Sequence, residues 1–394
     1  MKALKNVILN LVILSSAAAM PVVVQAYPRA DCIGDEGGTV VTPGSVLQNA
    51  VNAAYGTPVV LCQKARFEVS GYVTLPAYTK LQTRALPTDD ALKATIFYKP
   101  GSGLPMGRAV LDANGRPGVE LRNLIVDGSR TLPTIEQTTG NATKWRALIA
   151  ISGQNSLMDR VRAINTVGGA TIAAADDVNC SNLRITNSFI GHAGFNQSEQ
   201  WADGIALYCS NAYIANNELR DVTDGAITFY GGTHTVIENN WVANSGRSAI
   251  SGIIGAAAQK RTFGASFAGF SGSVVRNNLI QTAGGQHITI ALSAGSRMWC
   301  DAASNNPDCD MVQGLSFAYN QGSGLYGYGI AVAGMTGATI VGNNLTMTPW
   351  TNPGWTGSRA HCNGTNWYVV ESGSGGTLQP GYTTRTTLGG CAWF

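Results

Sequence analysis

The sequence predicts an all-β fold, a right-handed parallel β-helix (solenoid), from a repeated corner phrase, the spacing of that phrase and the composition. Five phrases share an apolar residue, a spacer, then Asn-Asn or Asn-Ser, in most cases followed by another apolar residue: Ile185–Phe189, Ile214–Asn217, Ile237–Trp241, Val275–Leu279 and Val341–Leu345. Asn216 to Asn239 is 23 residues, one coil of a solenoid built from short strands, and the longer step from Asn239 to Asn277 implies a coil carrying a loop. Asn suits such corners because it tolerates left-handed backbone and its amide can bond to the equivalent residue one coil away. The chain has 48 Gly and only 12% charged residues, which favours a turn-rich all-β protein. A β-sandwich with Asn-rich turns has no reason to repeat one corner at a fixed period.

At the front, Lys2 and Lys5 precede an apolar run that ends in Val24-Gln25-Ala26, the three-part pattern of a secretory signal peptide. Residues 1–26 are therefore expected to be removed and the protein secreted, to the exterior or the periplasm. Asn6 and Asn10 interrupt the run and no later stretch is long and apolar enough to span a bilayer, so no membrane contact is expected after cleavage. The remainder, 27–394, reads as one domain with coils over about 60–347. Ser45–Ala54 is the one credible amphipathic helix, placed to cap the open first coil. Val119–Gly128 and Leu157–Val161 fit the coil scheme upstream, and the segment after Trp350, rich in Gly, Thr and Trp, reads as a disulfide-tied C-terminal tail.

Eight cysteines in an exported chain point to disulfides rather than to a metal, because no Cys-x-x-Cys pair has a matching second pair. They group locally as Cys32 with Cys62, Cys180 with Cys209, Cys300 with Cys309 and Cys362 with Cys391. Cys180-Ser181-Asn182 and Cys209-Ser210-Asn211 open matching phrases. Equivalent places on adjacent coils would put their Cα atoms ~5 Å apart, within bridging range.

With these phrases the chain resembles the pectin-lyase-like superfamily of single-stranded right-handed β-helices, from about Ala30 to about Met347. Its Trp201-Ala202-Asp203-Gly204 and Thr223-Asp224-Gly225 phrases are also similar to those of a group of secreted fungal and actinomycete β-helix proteins. The resemblance implies polysaccharide lysis, hydrolysis or epimerisation, although a fold alone does not establish an activity.

Candidate chemistry lies where successive coils place a polar residue just before an apolar strand: Asp203, Asp224, Arg247, then Gln286 and His287, then Tyr328. The expectation is two carboxylates, a guanidinium and an imidazole along one edge. Coils stand ~4.8 Å apart, so Asp203 and Asp224 cannot both ionise cheaply; one keeps a proton as general acid and the other serves as base or nucleophile. Arg247 can hold a carboxylate ionised or grip an acidic sugar substituent, and His287 can shuttle a proton. The bland alternative is that Asp-Gly makes turns and Arg247 neutralises stacked acids. The long segments 191–200, 256–272 and 292–311 adjoin these coils and bring Trp201, Phe263, Phe267, Phe270, Trp299, Lys260, Arg261 and Arg297 for sugar stacking and anion contact, though some of these aromatics would simply cover the wall. Asp221 can share the cleft or be a corner residue. Asp176, Asp177, Asp301, Asp308 and Asp310 form no dense calcium motif, so neither metal nor cofactor is expected.

Net charge is +3, or +1 without Lys2 and Lys5, and no basic stripe points to nucleic acid. No exposed heptad or apolar stripe argues for an oligomer, so the protein is expected to act as a monomer. The leading expectation is a glycoside hydrolase acting on a polysaccharide or oligosaccharide through Asp203 and Asp224. The alternatives are a lyase of a uronate-containing polymer, with Arg247 or His287 at C5, and a non-catalytic glycan-binding protein that displays aromatic loops.

Overall fold

Asn at the corners dictates how each coil turns. The first residue of each pair takes left-handed backbone, with φ of 52°, 57°, 55° and 55° at Asn187, Asn216, Asn239 and Asn277. The next residue points inward and forms a rung. Nδ2 of Asn217 donates to Oδ1 of Asn240 (2.9 Å), Asn240 to Asn278 (3.0 Å), Asn278 to Asn320 (2.9 Å), Asn320 to Asn343 (2.8 Å) and Asn343 to Gln379 Oε1 (3.1 Å). These buried amides also take the backbone N–H of the preceding coil's rung, as Ser188 N donates to Asn217 Oδ1 at 3.0 Å. Two rungs depart from the sequence pattern. Tyr319, at φ 55°, makes the corner before Asn320, and in the Val341 phrase Gly342 (φ 64°) makes the corner so that Asn343 is the rung.

The computed structural model describes residues 31–130, 146–166, 168–175, 179–196, 200–255, 269–299, 307–353, 356–363 and 367–392. The expected signal peptide, Cys300, Asp176, Asp177, Asp301, Lys260, Arg261, Phe263 and Phe267 lie outside them. Three strands make a coil, for example Tyr213–Ala215, Glu218–Val222 and Gly225–Gly231, followed by Val236–Glu238, Trp241–Asn244 and Ala249–Gly255. Each strand pairs in parallel with its counterpart one coil on. Among the described residues the first position stacks into an 11-stranded sheet. The other two form a 21-stranded sheet, joined through the continuous strand Gln321–Val332. Inside, Ile185, Ile214, Ile237, Val275, Phe317 and Ile340 stack in register and are fully buried.

Helix Gly44–Ala54 buries Leu47 and Val51 against the first strands, as expected of a cap. At the other end the wall runs further than expected: Tyr368–Glu371 pairs with Gln321–Val332, and Gly376–Leu378 extends the 11-stranded sheet. The tail thus continues the wall, with Tyr382–Arg385 stacked in turn on Tyr368–Glu371. Cys32–Cys62, Cys180–Cys209 and Cys362–Cys391 are bridged as grouped, with Cα atoms 4.9, 4.7 and 5.4 Å apart.

The ladder makes a testable contrast. Asn278→Ala strands buried partners on two coils and should cost about 1–3 kcal/mol in urea or thermal unfolding. Asn239→Gly keeps the left-handed corner and should leave stability nearly unchanged.

Candidate functional site

Asp203 opens the strand Asp203–Tyr208, and Asp224 immediately precedes Gly225–Gly231 on the next coil. The register Ile205 to Ile227 sets Asp203 beside Gly225, so the two aspartates are near neighbours, one residue out of step. Asp203 is only 2% exposed. Its Oδ1 accepts from Thr228 Oγ1 (2.5 Å) and Gly225 N (3.2 Å), and its Oδ2 from the Tyr230 hydroxyl (3.3 Å). Asp224 is half-buried, and its amide is fixed by Ala202 O at 3.1 Å. Gly225 is required between them: a Cβ there would sit 2.1 Å from Thr228 Oγ1.

Burial, and then the neighbouring charge of Asp224, push the Asp203 carboxyl well above the usual carboxylate range, against the opposing bonds from Thr228, Gly225 and Tyr230. Burial lifts Asp224 to about 6. The two carboxyls titrate as a coupled pair, and burial disfavours the charge of both, so the pair holds its protons to higher pH than ordinary carboxyls do.

The expected single edge of four groups is not formed. Register places Asp203, Gly225, Ser251, Ile290 and Tyr328 in one column, whereas Arg247 stands in the turn before the strand Ala249–Gly255 and His287 opens the strand His287–Ala294, ahead of Ile290. Arg247 belongs to the Ser245–Arg247 turn, whose three amides all donate to Asp221 Oδ1, at 2.9, 2.8 and 3.2 Å. Asp221 itself has left-handed backbone, φ 52°, and so is a corner residue that anchors the next coil's turn. Arg247 donates to Gly194 O at 2.6 Å and lies over the Phe195 ring. Ser248 joins the two residues that follow on the next coil, donating to Gln286 Oε1 at 2.9 Å and meeting His287 Nδ1 at 3.0 Å. The His287 ring stacks on Trp350, with centroids 3.4 Å apart, and burial lowers it to about 4, leaving it neutral.

Four expected substrate contacts lie between wall and tail. Tyr328 is fully buried and donates to Cys362 O, and burial raises its phenol to about 12. Arg297 pairs with the buried Glu371 at 3.3 Å. Trp201 and Trp299 are half-buried against Ile250, Ile290, Tyr328 and Leu388. Phe270 belongs to the interior, edge-on to Phe229 at 5.0 Å. Among the described residues the one group with metal-ligand proximity is His361, Cys362 and Cys391, and its two sulfurs are in a disulfide.

The sequence reading missed Thr228 and Tyr230. Strict alternation after Ile227 puts both on the outer side of the strand, a signal that could have found them. It also missed Arg130 and Phe195, which carry no motif.

No protein-family model matches the sequence. No curated protein matches it either. Solved structures do match. Endo-xylogalacturonan hydrolase from Aspergillus tubingensis is 11% identical, with 88% of this chain and 99% of that one aligned at a TM-score of 0.51. The tailspike protein of E. coli bacteriophage HK620, solved with a pentasaccharide, is 11% identical over 90% of this chain and 66% of its own, at 0.50. The A-module of an Azotobacter vinelandii mannuronan C-5 epimerase is 14% identical over 89% and 96%, at 0.49. At such identities the likeness concerns the fold alone, and in fold this chain is a right-handed parallel β-helix.

Proposed function

We propose that the protein is a secreted carbohydrate-active enzyme, a glycoside hydrolase that cleaves a polysaccharide or oligosaccharide with Asp203 and Asp224. The observation that carries this is the pair of carboxyls on adjacent coils, both raised above the usual carboxylate range by burial. Glycosidases need one protonated and one ionised carboxyl flanking the scissile bond. Asp203 supplies the proton that the leaving oxygen takes as the C1–O bond breaks. Asp224, the more accessible member, attacks C1 or takes a proton from the attacking water. Thr228 and Tyr230 hold Asp203 in one orientation, and Tyr230, half-buried, links it toward the surface. Two solved structures of the same fold, a polysaccharide hydrolase and a tailspike holding a pentasaccharide, support a glycan as substrate. The disulfides suit an oxidising compartment and so export. A lyase is less well supported, since His287 is a weak base at about 4 and Arg247 is engaged by Gly194 O.

The test is turnover on a panel of neutral and uronic polysaccharides, following reducing ends and near-ultraviolet absorbance together. New reducing ends without absorbance are expected, and Asp203→Asn or Asp224→Asn should each lower the rate by about 10²–10⁴-fold. Rising absorbance would instead mean a lyase, and binding without turnover a display protein.

Activity should rise as pH climbs through about 6, where Asp224 ionises, and fall again at higher pH when Asp203 loses its proton. Stability should run the other way. Both carboxyls titrate higher folded than unfolded, so the stabilisation they give is complete below about 4 and is lost as pH rises through about 6. Asp224→Asn should therefore melt above the parent protein at pH 7, with the gap closing toward pH 4.

A further inference from the structure

Close to the aspartate pair, two arginines meet no carboxylate among the described residues. Arg130 is 8% exposed; it donates to Thr166 O (3.2 Å) and Gln200 Oε1 (2.6 Å), and its buried Nε has no acceptor. Arg247 is half-buried and donates to Gly194 O. Both guanidiniums lie over the Phe195 ring, 5.5 and 5.3 Å from its centroid. Other arginines do meet a carboxylate, as Arg297 meets Glu371, Arg276 meets Glu238 and Arg108 meets Asp112.

A buried guanidinium without a counter-ion costs several kcal/mol. Burial, and then the charge of Arg247, lower Arg130 to about 10, so both side chains remain protonated at neutral pH. Asp221 is the carboxylate that acts on Arg247, and its Oδ1 is already taken by three backbone amides. Among the described residues, neither guanidinium therefore forms an ion pair.

The surroundings are rigid. Phe195 and Gln200 exchange backbone hydrogen bonds of 2.6 and 3.1 Å, and the Asn196 amide group holds both the N–H and the C=O of Ser248, at 3.1 and 2.9 Å. Gly194 has φ 76°, and a Cβ there would lie 1.6 Å from Thr223 Oγ1. The same Thr223 hydroxyl donates to Gln200 O at 3.2 Å, which ties this corner to the residue before Asp224.

We infer that Arg130 and Arg247, set on Phe195, form an oxyanion-binding site that takes a carboxylate or sulfate substituent of an acidic glycan. Arg130 is the buried member and Arg247 the half-exposed one. A planar guanidinium suits either oxyanion because it offers parallel N–H donors. The substrate class rests on the hydrolase reading above; the anion site does not.

The experiment is thermal unfolding of the mature protein with sodium galacturonate, sodium sulfate or sodium chloride at matched ionic strength. A ligand that binds only the folded state raises Tm with concentration. Galacturonate or sulfate, but not chloride, should do so. A galacturonate response assigns a uronate and a response to sulfate alone assigns a sulfate ester. Because sulfate also stabilises proteins in general, the shift counts only as its difference from Arg247→Gln. That difference should be positive in the parent protein, shrink in Arg247→Lys, which keeps the charge but loses the fork, and persist in Asp224→Asn. Equal shifts in Arg247→Gln and the parent, or a chloride shift as large, would overturn the site. Turnover of neutral polymers without any anion response would do the same while leaving the hydrolase intact. An anion response without turnover on any polymer would sink the hydrolase and leave the site standing.

Discussion

The amide ladder sets the register on which the site depends. Each rung donates to the next and to a backbone carbonyl of the previous coil, so a slip of one residue would leave buried amides unpaired from Asn217 to Gln379. Because side chains alternate along a strand, such a slip would also turn the interior residues outward. Corner, core and wall are therefore one constraint, and it brings Asp203 beside Gly225 and hence beside Asp224.

That constraint also explains the electrostatics. Coils ~4.8 Å apart give two acidic groups little room to separate, and Asp203 is almost fully buried. A fold selected for stability alone would place an amide or an alanine at position 203, as Ala170 does one coil earlier. Instead Thr228, Gly225 and Tyr230 all bond to the Asp203 carboxyl. A polar group kept at such cost and satisfied so fully fits a chemical role better than a turn-making one.

The repeat was legible because it is periodic. Corner phrases, the capping helix and the Cys180–Cys209 bridge all follow from spacing, and only the rungs Asn320 and Asn343 broke the pattern, where Tyr319 and Gly342 stand at the corner. The adjacency of Asp203 and Asp224 was legible for the same reason. The places of Arg247 and His287 were not, because Arg247 lies in a turn while His287 already opens its strand, so counting back from the following Ile misplaces both. Tyr328 and Arg297 were misread for another reason: from sequence alone nothing shows that the tail returns over them, placing Cys362 and Glu371 on polar groups that would otherwise face outward.

Arg247 shows how a correct residue can carry the wrong partner. Its place near the aspartates suggested that it steadies one of them, yet the bonds it makes are to Gly194 O and Phe195, and the charge that acts on it is that of Asp221. Neither aspartate of the pair has an arginine among the causes of its shift. No arginine relieves the raised carboxyls, and among the described residues neither arginine forms an ion pair with a carboxylate. An arginine in contact with Asp203 would lower its carboxyl and so favour loss of the proton that glycosidic cleavage requires. Separation of the acid pair from the basic pair is thus itself a condition for the proposed chemistry, and the turn held by Asp221 enforces it.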